Sequence, residues 1–173
     1  MNKLFDFRSF WTKHRPVDEA VNGSKDQLGM LIRNPQALVL MLDFDGVLHP
    51  YESGSLTQLP LLEKWLASKP DVDVVISSNW RESHTLAQLK SYFNETLRDR
   101  VIGTTPYFYD KSRLDEIQHV VAKYGIRSWI ALDDDVDEFN DKRRLAVTDP
   151  SKGLTVETIA VLNRLYYMRK FVA

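Results

Sequence analysis

Residues 38–50 read LVLMLDFDGVLHP. The five apolar residues Leu38–Leu42 form a continuous run, the pattern of a strand covered on both faces rather than of one with a wet side. The run ends in Asp43 and Asp45, one residue apart, followed by Gly46. A buried strand that delivers two carboxylates at its carboxyl end raises the question of what they meet there.

The chain downstream answers with an alternation of elements. Pro60 opens a helix through Leu61, Leu62, Trp65 and Leu66 that Lys69-Pro70 closes. Val72, Val74, Val75 and Ile76 predict a β-branched strand running into SSNWR. Leu86, Leu89, Phe93 and Leu97 fall at helical spacing, and Val101-Ile102 predicts a short strand. Leu114, Ile117, Val120, Val121 and Tyr124 mark a further helix. The run SWIAL is a strand that enters Asp133-Asp134-Asp135; Leu145-Ala146-Val147 is a short one. A last helix starts at Thr155, with Leu154 and Ile159 paired across its cap. Strands alternating with helices predict an α/β fold, a mostly parallel central sheet with helices on both faces.

Upstream, a composition shift near Pro35 predicts an N-terminal helical extension over residues 1–36 and a main domain over 37–173. Ser24 and Gln27 suggest a helix start, with Asn34-Pro35 its end. Leu4, Phe7, Phe10 and Trp11 lie at helical spacing among Lys3, Arg8, Lys13 and Arg15. This aromatic, basic helix is expected to pack on the domain; its sharper reading is self-association or partner docking.

Composition narrows the chemistry. The 173 residues carry 23 basic and 24 acidic side chains, a net charge of −1, so no global field recruits nucleic acid or anionic lipid. There is no cysteine, which removes disulfides, thiolate metal sites and cysteine nucleophiles. No apolar run approaches the about 20 residues of a transmembrane helix, and the start lacks a signal peptide's apolar stretch. The expectation is a cytoplasmic protein.

In a parallel α/β sheet the carboxyl ends of the strands share one edge, where ligands bind. Asp43 and Asp45, Ser78, and Asp133 with Asp134 all occupy such ends, and Lys111 or Arg113 begins a helix feeding the SWIAL strand. Crowded carboxylates raise one another's pKa unless a cation is shared. An all-oxygen set suits a hard ion, and Mg²⁺ is the natural candidate. A serine hydroxyl and a basic group opposite the acids then suit phosphate oxygens. Arg81, just past Ser78, is a second phosphate contact or a substrate clamp. Ser77 competes with Ser78, which is preferred as the residue at the strand tip. His49 reads as a loop residue and Trp80 as packing at the site wall.

The motif DFDGVL resembles the first signature of the haloacid dehalogenase superfamily, most of whose members are Mg²⁺-dependent phosphohydrolases. The strand ending VVISS, the basic residue opening a later helix and the acids of IALDDD are similar to its other three signatures, in order. LDFDGVLHP, SSNWR and VTDPSKGLT are closer still to small bacterial haloacid-dehalogenase-like proteins, a subgroup that includes the phosphatase-like domain of certain RNA-repair proteins. The resemblance implies a three-layer Rossmann-like fold. It also implies Asp43 as a nucleophile forming an aspartyl-phosphate, with Asp45 as general acid and base. Mg²⁺ would be held by Asp43, the Asp45 main-chain carbonyl and Asp134 or Asp133. Ser78 and Lys111 would hold phosphoryl oxygens, with Arg113, two residues further on, the alternative to Lys111 as the basic group. The gaps His49–Leu61 and Glu82–Asp110 are too short for a cap domain. An open site favours a large substrate, a phosphorylated nucleic acid end or a phosphoprotein, with Tyr107, Phe108 and Tyr109 placed to line the entrance. An idle binding module and a phosphotransferase are the alternatives.

Overall fold

A computed structural model of the chain describes residues 29–51 and 53–170. Five strands, β1 (Leu38–Leu42), β2 (Val72–Ile76), β3 (Val101–Thr104), β4 (Trp129–Asp133) and β5 (Leu145–Val147), form one sheet in the order β3-β2-β1-β4-β5. Every neighbouring pair is parallel. The fold is the expected three-layer, Rossmann-like α/β arrangement. Among the described residues four α-helices accompany the strands: α1 (Leu59–Ala67), α2 (Leu86–Ser91), α3 (Arg113–Tyr124) and α4 (Val156–Lys170).

Alternation along the strands divides the core. Leu38, Leu40 and Leu42 of β1 join Val72, Val74, Ile76, Ile130 and Leu132 under α1, α2 and α4, where Leu62, Trp65, Leu89, Leu162 and Leu165 meet them. Val39 and Met41 point the other way, with Val75 and Ala131, onto Leu114, Ile117 and Val120 of α3. Every residue of β1 is buried, and each such side chain removed from water contributes about 1.5–3 kcal/mol before entropy is counted. That two-sided burial is why the run has no polar residue until it ends.

The segment before β1 corrects one expectation. A helix was expected up to Asn34, yet residues 29–34 are not helical. Leu31 instead bridges Gly103 antiparallel at the edge of β3, and the Ile32 amide donates to the Ile102 carbonyl at 2.8 Å. Gly103 permits this, since a Cβ there would stand 2.3 Å from the Met30 carbonyl oxygen. Arg33 then satisfies Asp73, which is buried in β2, through a two-armed ion pair at 2.5 and 2.8 Å. The expected aromatic helix of residues 1–16 and the start at Ser24 lie outside the described residues.

A second difference concerns the helix marked by Leu86, Leu89, Phe93 and Leu97. Thr85 and Gln88 open it with a capping box, but it ends at Ser91. Phe93 and Leu97 are still buried; they are carried by turns that lead to β3. Between β1 and α1, and between β2 and α3, the described residues contain no sizeable cap. No helix among them is long and apolar enough to cross a membrane.

Candidate active site

Register brings the acids together. Leu42 pairs with Leu132 and with Ile76, so the residues that follow, Asp43, Asp133 and Ser77, stand level at the carboxyl edge of three adjacent strands. Asp43, Asp133 and Asp134 each offer a carboxylate oxygen, all within 4.8 Å of one another. That spread is close to the about 4 Å that separates opposite ligands of a Mg²⁺ ion with Mg–O bonds near 2.0–2.1 Å. Donors that are all hard oxygens fit Mg²⁺, so the residues present suit the ion the fold class implies.

The basic group among these acids is Arg113. Its Nη1 lies 3.2 Å from Asp43 Oδ2 and 3.3 Å from Asp133 Oδ2, and it donates to the Ser77 carbonyl. Burial opposes its charge, but Asp43 and Asp133 more than offset that, so its pKa is raised and it stays cationic. The local sequence explains its position. Ser112 caps α3 by accepting from the Asp115 amide, and Asp115 accepts in return from the Ser112 amide. Arg113 is therefore the first helical residue and faces the sheet edge. Lys111, two residues earlier, is exposed on a shallow cleft with Asp110, Asp115 and His119. Among the described residues it forms no ion pair with the three acids.

Each carboxylate is oriented separately. Asp43 Oδ1 accepts from the Phe44 amide at 2.7 Å, and Asp133 Oδ1 from the Asp135 amide at 3.0 Å. Asp134 Oδ2 accepts a hydrogen bond from the Tyr51 hydroxyl. Gly46, at φ +65°, allows the loop after β1 to press on Asp134; a Cβ there would meet Asp134 Cγ at 2.6 Å. Asp45 is held apart from the cluster. Trp80 Nε1–H donates to both of its oxygens at 3.0 Å, and His49 Nε2 stands 3.1 Å from Oδ1. Burial opposes a charged His49 ring, but Asp45 and the Pro50 carbonyl carry its pKa above the ordinary value. Trp80 and His49, expected as wall and loop residues, are thus in contact with Asp45.

Ser77 and Ser78 are both buried. Ser78 Oγ accepts from the Trp80 amide at 3.4 Å, capping the turn Asn79–Glu82, which leaves its own proton for an acceptor. The turn carries Arg81, only 3% exposed, whose Nη2 meets Glu116 Oε2 at 2.5 Å while Nε and Nη1 find no hydrogen-bond partner among the described residues. Burial lowers the Arg81 pKa, with Glu116 opposing that and the nearby Arg113 adding to it. The Tyr107 ring lies 6.0 Å from its guanidinium carbon. Tyr51 and Glu116 escaped sequence reasoning. Neither lies at a strand end, and only the folded chain brings Tyr51 to an acid on β4.

Crowding sets the electrostatics. Burial, then the charge of Asp43, raises Asp133 well above the carboxylate range. Burial likewise leads in raising Asp134 to about 6, with the Tyr51 hydrogen bond partly opposing it. The folded state therefore keeps protons that the unfolded chain releases. Stability from this source is full below about pH 4 and is lost as pH rises through about 6, by about 2–3 kcal/mol from Asp134 alone. Asp141 and Asp149, held near 2 by hydrogen bonds from Arg143 and Ser151, have ionised before this window opens. His49 acts in the same direction at higher pH. Thermal unfolding with EDTA is expected to show Tm falling from about pH 4.5 to about 7, and Mg²⁺ to abolish the fall. A Tm that rises over this range without metal contradicts the clustered geometry.

A five-stranded parallel sheet whose first strand ends in Asp-x-Asp and whose fourth ends in paired acids, with a cation from a helix between them, defines a haloacid-dehalogenase-like protein. Residues 39–159 match the family described as the HAD domain in Swiss Army Knife RNA repair proteins, and the chain belongs to that family. No curated protein matches the chain. The family is of the phosphohydrolase type.

Proposed function

We propose that this protein is a Mg²⁺-dependent phosphomonoesterase that works through an aspartyl-phosphate. The observation that carries the reading is the division of the carboxylates. Asp43 sits among two other acids and Arg113, while Asp45, two residues on, is held away from them by Trp80 and His49. A nucleophile must stay ionised beside a cation, and a general acid must be able to carry a proton.

In this reading Asp43, its Oδ1 fixed by the Phe44 amide, attacks phosphorus, and the bond to the ester oxygen breaks. Asp45 gives that oxygen its proton, then takes one from the water that cleaves the aspartyl-phosphate, regenerating Asp43 and releasing phosphate. Ser78 and Arg113 hold phosphoryl oxygens; Arg81, with two nitrogens that find no partner among the described residues, is a further donor for them. Asp43, the Asp45 carbonyl and Asp133 or Asp134 would hold Mg²⁺. The ion supplies charge neutralisation for the acids and for the phosphoryl group.

The absence of a sizeable cap among the described residues favours a substrate that brings its own bulk, and the family's RNA-repair proteins favour a phosphorylated nucleic acid end over a phosphoprotein. Hydrolysis of para-nitrophenyl phosphate is expected to need Mg²⁺ and to stop with EDTA. A panel of 3′- and 5′-phosphorylated oligonucleotides, phosphopeptides and sugar phosphates is expected to place the best kcat/KM among the oligonucleotides. Inertness across the whole panel would favour a binding module.

A further inference from the structure

We propose that Tyr51 is a positioning residue for the metal-binding carboxylate of Asp134, a role that rests on the divalent-ion reading above. Tyr51 lies on the loop after β1, six residues beyond Asp45, whereas Asp134 follows β4. The loop is pinned at this point. The Tyr51 amide donates to the Pro150 carbonyl at 3.2 Å. The segment around Pro150 is in turn tied to the same loop, through Thr148 Oγ1 on the Gly46 carbonyl and the Leu154 amide on the Val47 carbonyl, both 2.7 Å.

With its backbone held, the Tyr51 hydroxyl reaches Asp134 Oδ2. The Gly46 backbone also abuts this carboxylate, with no room for a side chain. Asp134 is thus seated between two points of one loop, and its carboxylate has a set orientation. Packing does not account for the tyrosine, whose side chain sits in a residue 42% exposed. Asp43 and Asp133 take their orienting donors from neighbouring amides; Asp134 takes a side-chain donor from across the site. Donors of this kind keep a ligand in its binding orientation, and removing one typically weakens metal affinity about 10–100-fold.

The test is calorimetric titration of MgCl₂ into EDTA-stripped protein, comparing wild type with Tyr51→Phe and with Tyr167→Phe, a change at a comparably exposed tyrosine on α4. Tyr51→Phe is expected to raise the Mg²⁺ Kd about 10-fold or more, with kcat recovered at high Mg²⁺ and Tyr167→Phe unchanged. Circular dichroism of the metal-free variants checks that each is folded. A Kd in Tyr51→Phe equal to the wild-type value overturns this proposal alone. A wild-type protein that binds no Mg²⁺ overturns it together with the metal reading.

Discussion

Asp43→Asn is expected to lower kcat for phosphate-ester hydrolysis by at least about 10³-fold while leaving the protein folded. The replacement is nearly isosteric, and the asparagine oxygen can still accept from the Phe44 amide that now bonds Oδ1. What is lost is the anionic oxygen that faces Arg113 at 3.2 Å. An amide nitrogen there cannot attack phosphorus, and Arg113 keeps Asp133 and the Ser77 carbonyl as partners. Because the Asp43 charge helps raise both Asp133 and Asp134, its removal should return both toward ordinary carboxylate values. The fall of metal-free Tm with pH should then flatten. Steady-state kinetics with an EDTA control and a pH series of melts measure both effects. Retained turnover would remove Asp43 from the chemistry, even with its geometry intact.

The sheet was readable because β1 and β4 are buried on both faces and so appear as uninterrupted apolar runs that turn polar at their carboxyl ends, and β2 shows the same pattern broken only by Asp73. Those ends also exposed Asp43, Asp133 and Asp134, since parallel pairing leaves them one edge to share. Residues 29–34 were misread because the capping pair Ser24 and Gln27 and the stop at Asn34-Pro35 bracket a helix in the sequence; a backbone contact permitted by Gly103 decides otherwise over residues 29–34. The early end of α2 was hidden for a related reason, as Phe93 and Leu97 keep helical spacing while being buried from turns. The choice between Lys111 and Arg113 did have a local signal. Ser112-x-x-Asp115 is a capping box, and it makes Arg113 the first residue of the helix. Contacts such as Trp80 on Asp45 and Tyr51 on Asp134 join separate loops, and no periodicity encodes them.

Arg113→Ala and Lys111→Ala are expected to behave as opposites, although the two residues are nearly adjacent. In Arg113→Ala the carboxylates of Asp43 and Asp133 lose the cation within 3.3 Å of both. Breaking a buried pair from one side typically costs about 3–5 kcal/mol, because the remaining charge stays buried. Here protonation of Asp133, already favoured by burial, should recover part of that cost at low pH, so the variant loses most stability as pH rises and Asp133 ionises. Mg²⁺ should restore stability by replacing the missing positive charge. It should not restore turnover, since the guanidinium is also the proposed donor to the transferring phosphoryl group, a contact worth about 10²–10³ in kcat. Lys111→Ala removes an exposed side chain without an ion pair to the cluster, so stability should stay within about 0.5 kcal/mol and kcat within a few-fold. Unfolding melts and kinetics of both variants, with and without Mg²⁺, separate the two roles of Arg113. If Lys111→Ala lost activity while Arg113→Ala kept it, the cation would have to be reassigned to a lysine that reaches the acids only after the start of α3 rearranges, and the capping box at Ser112 and Asp115 would then have to open for catalysis.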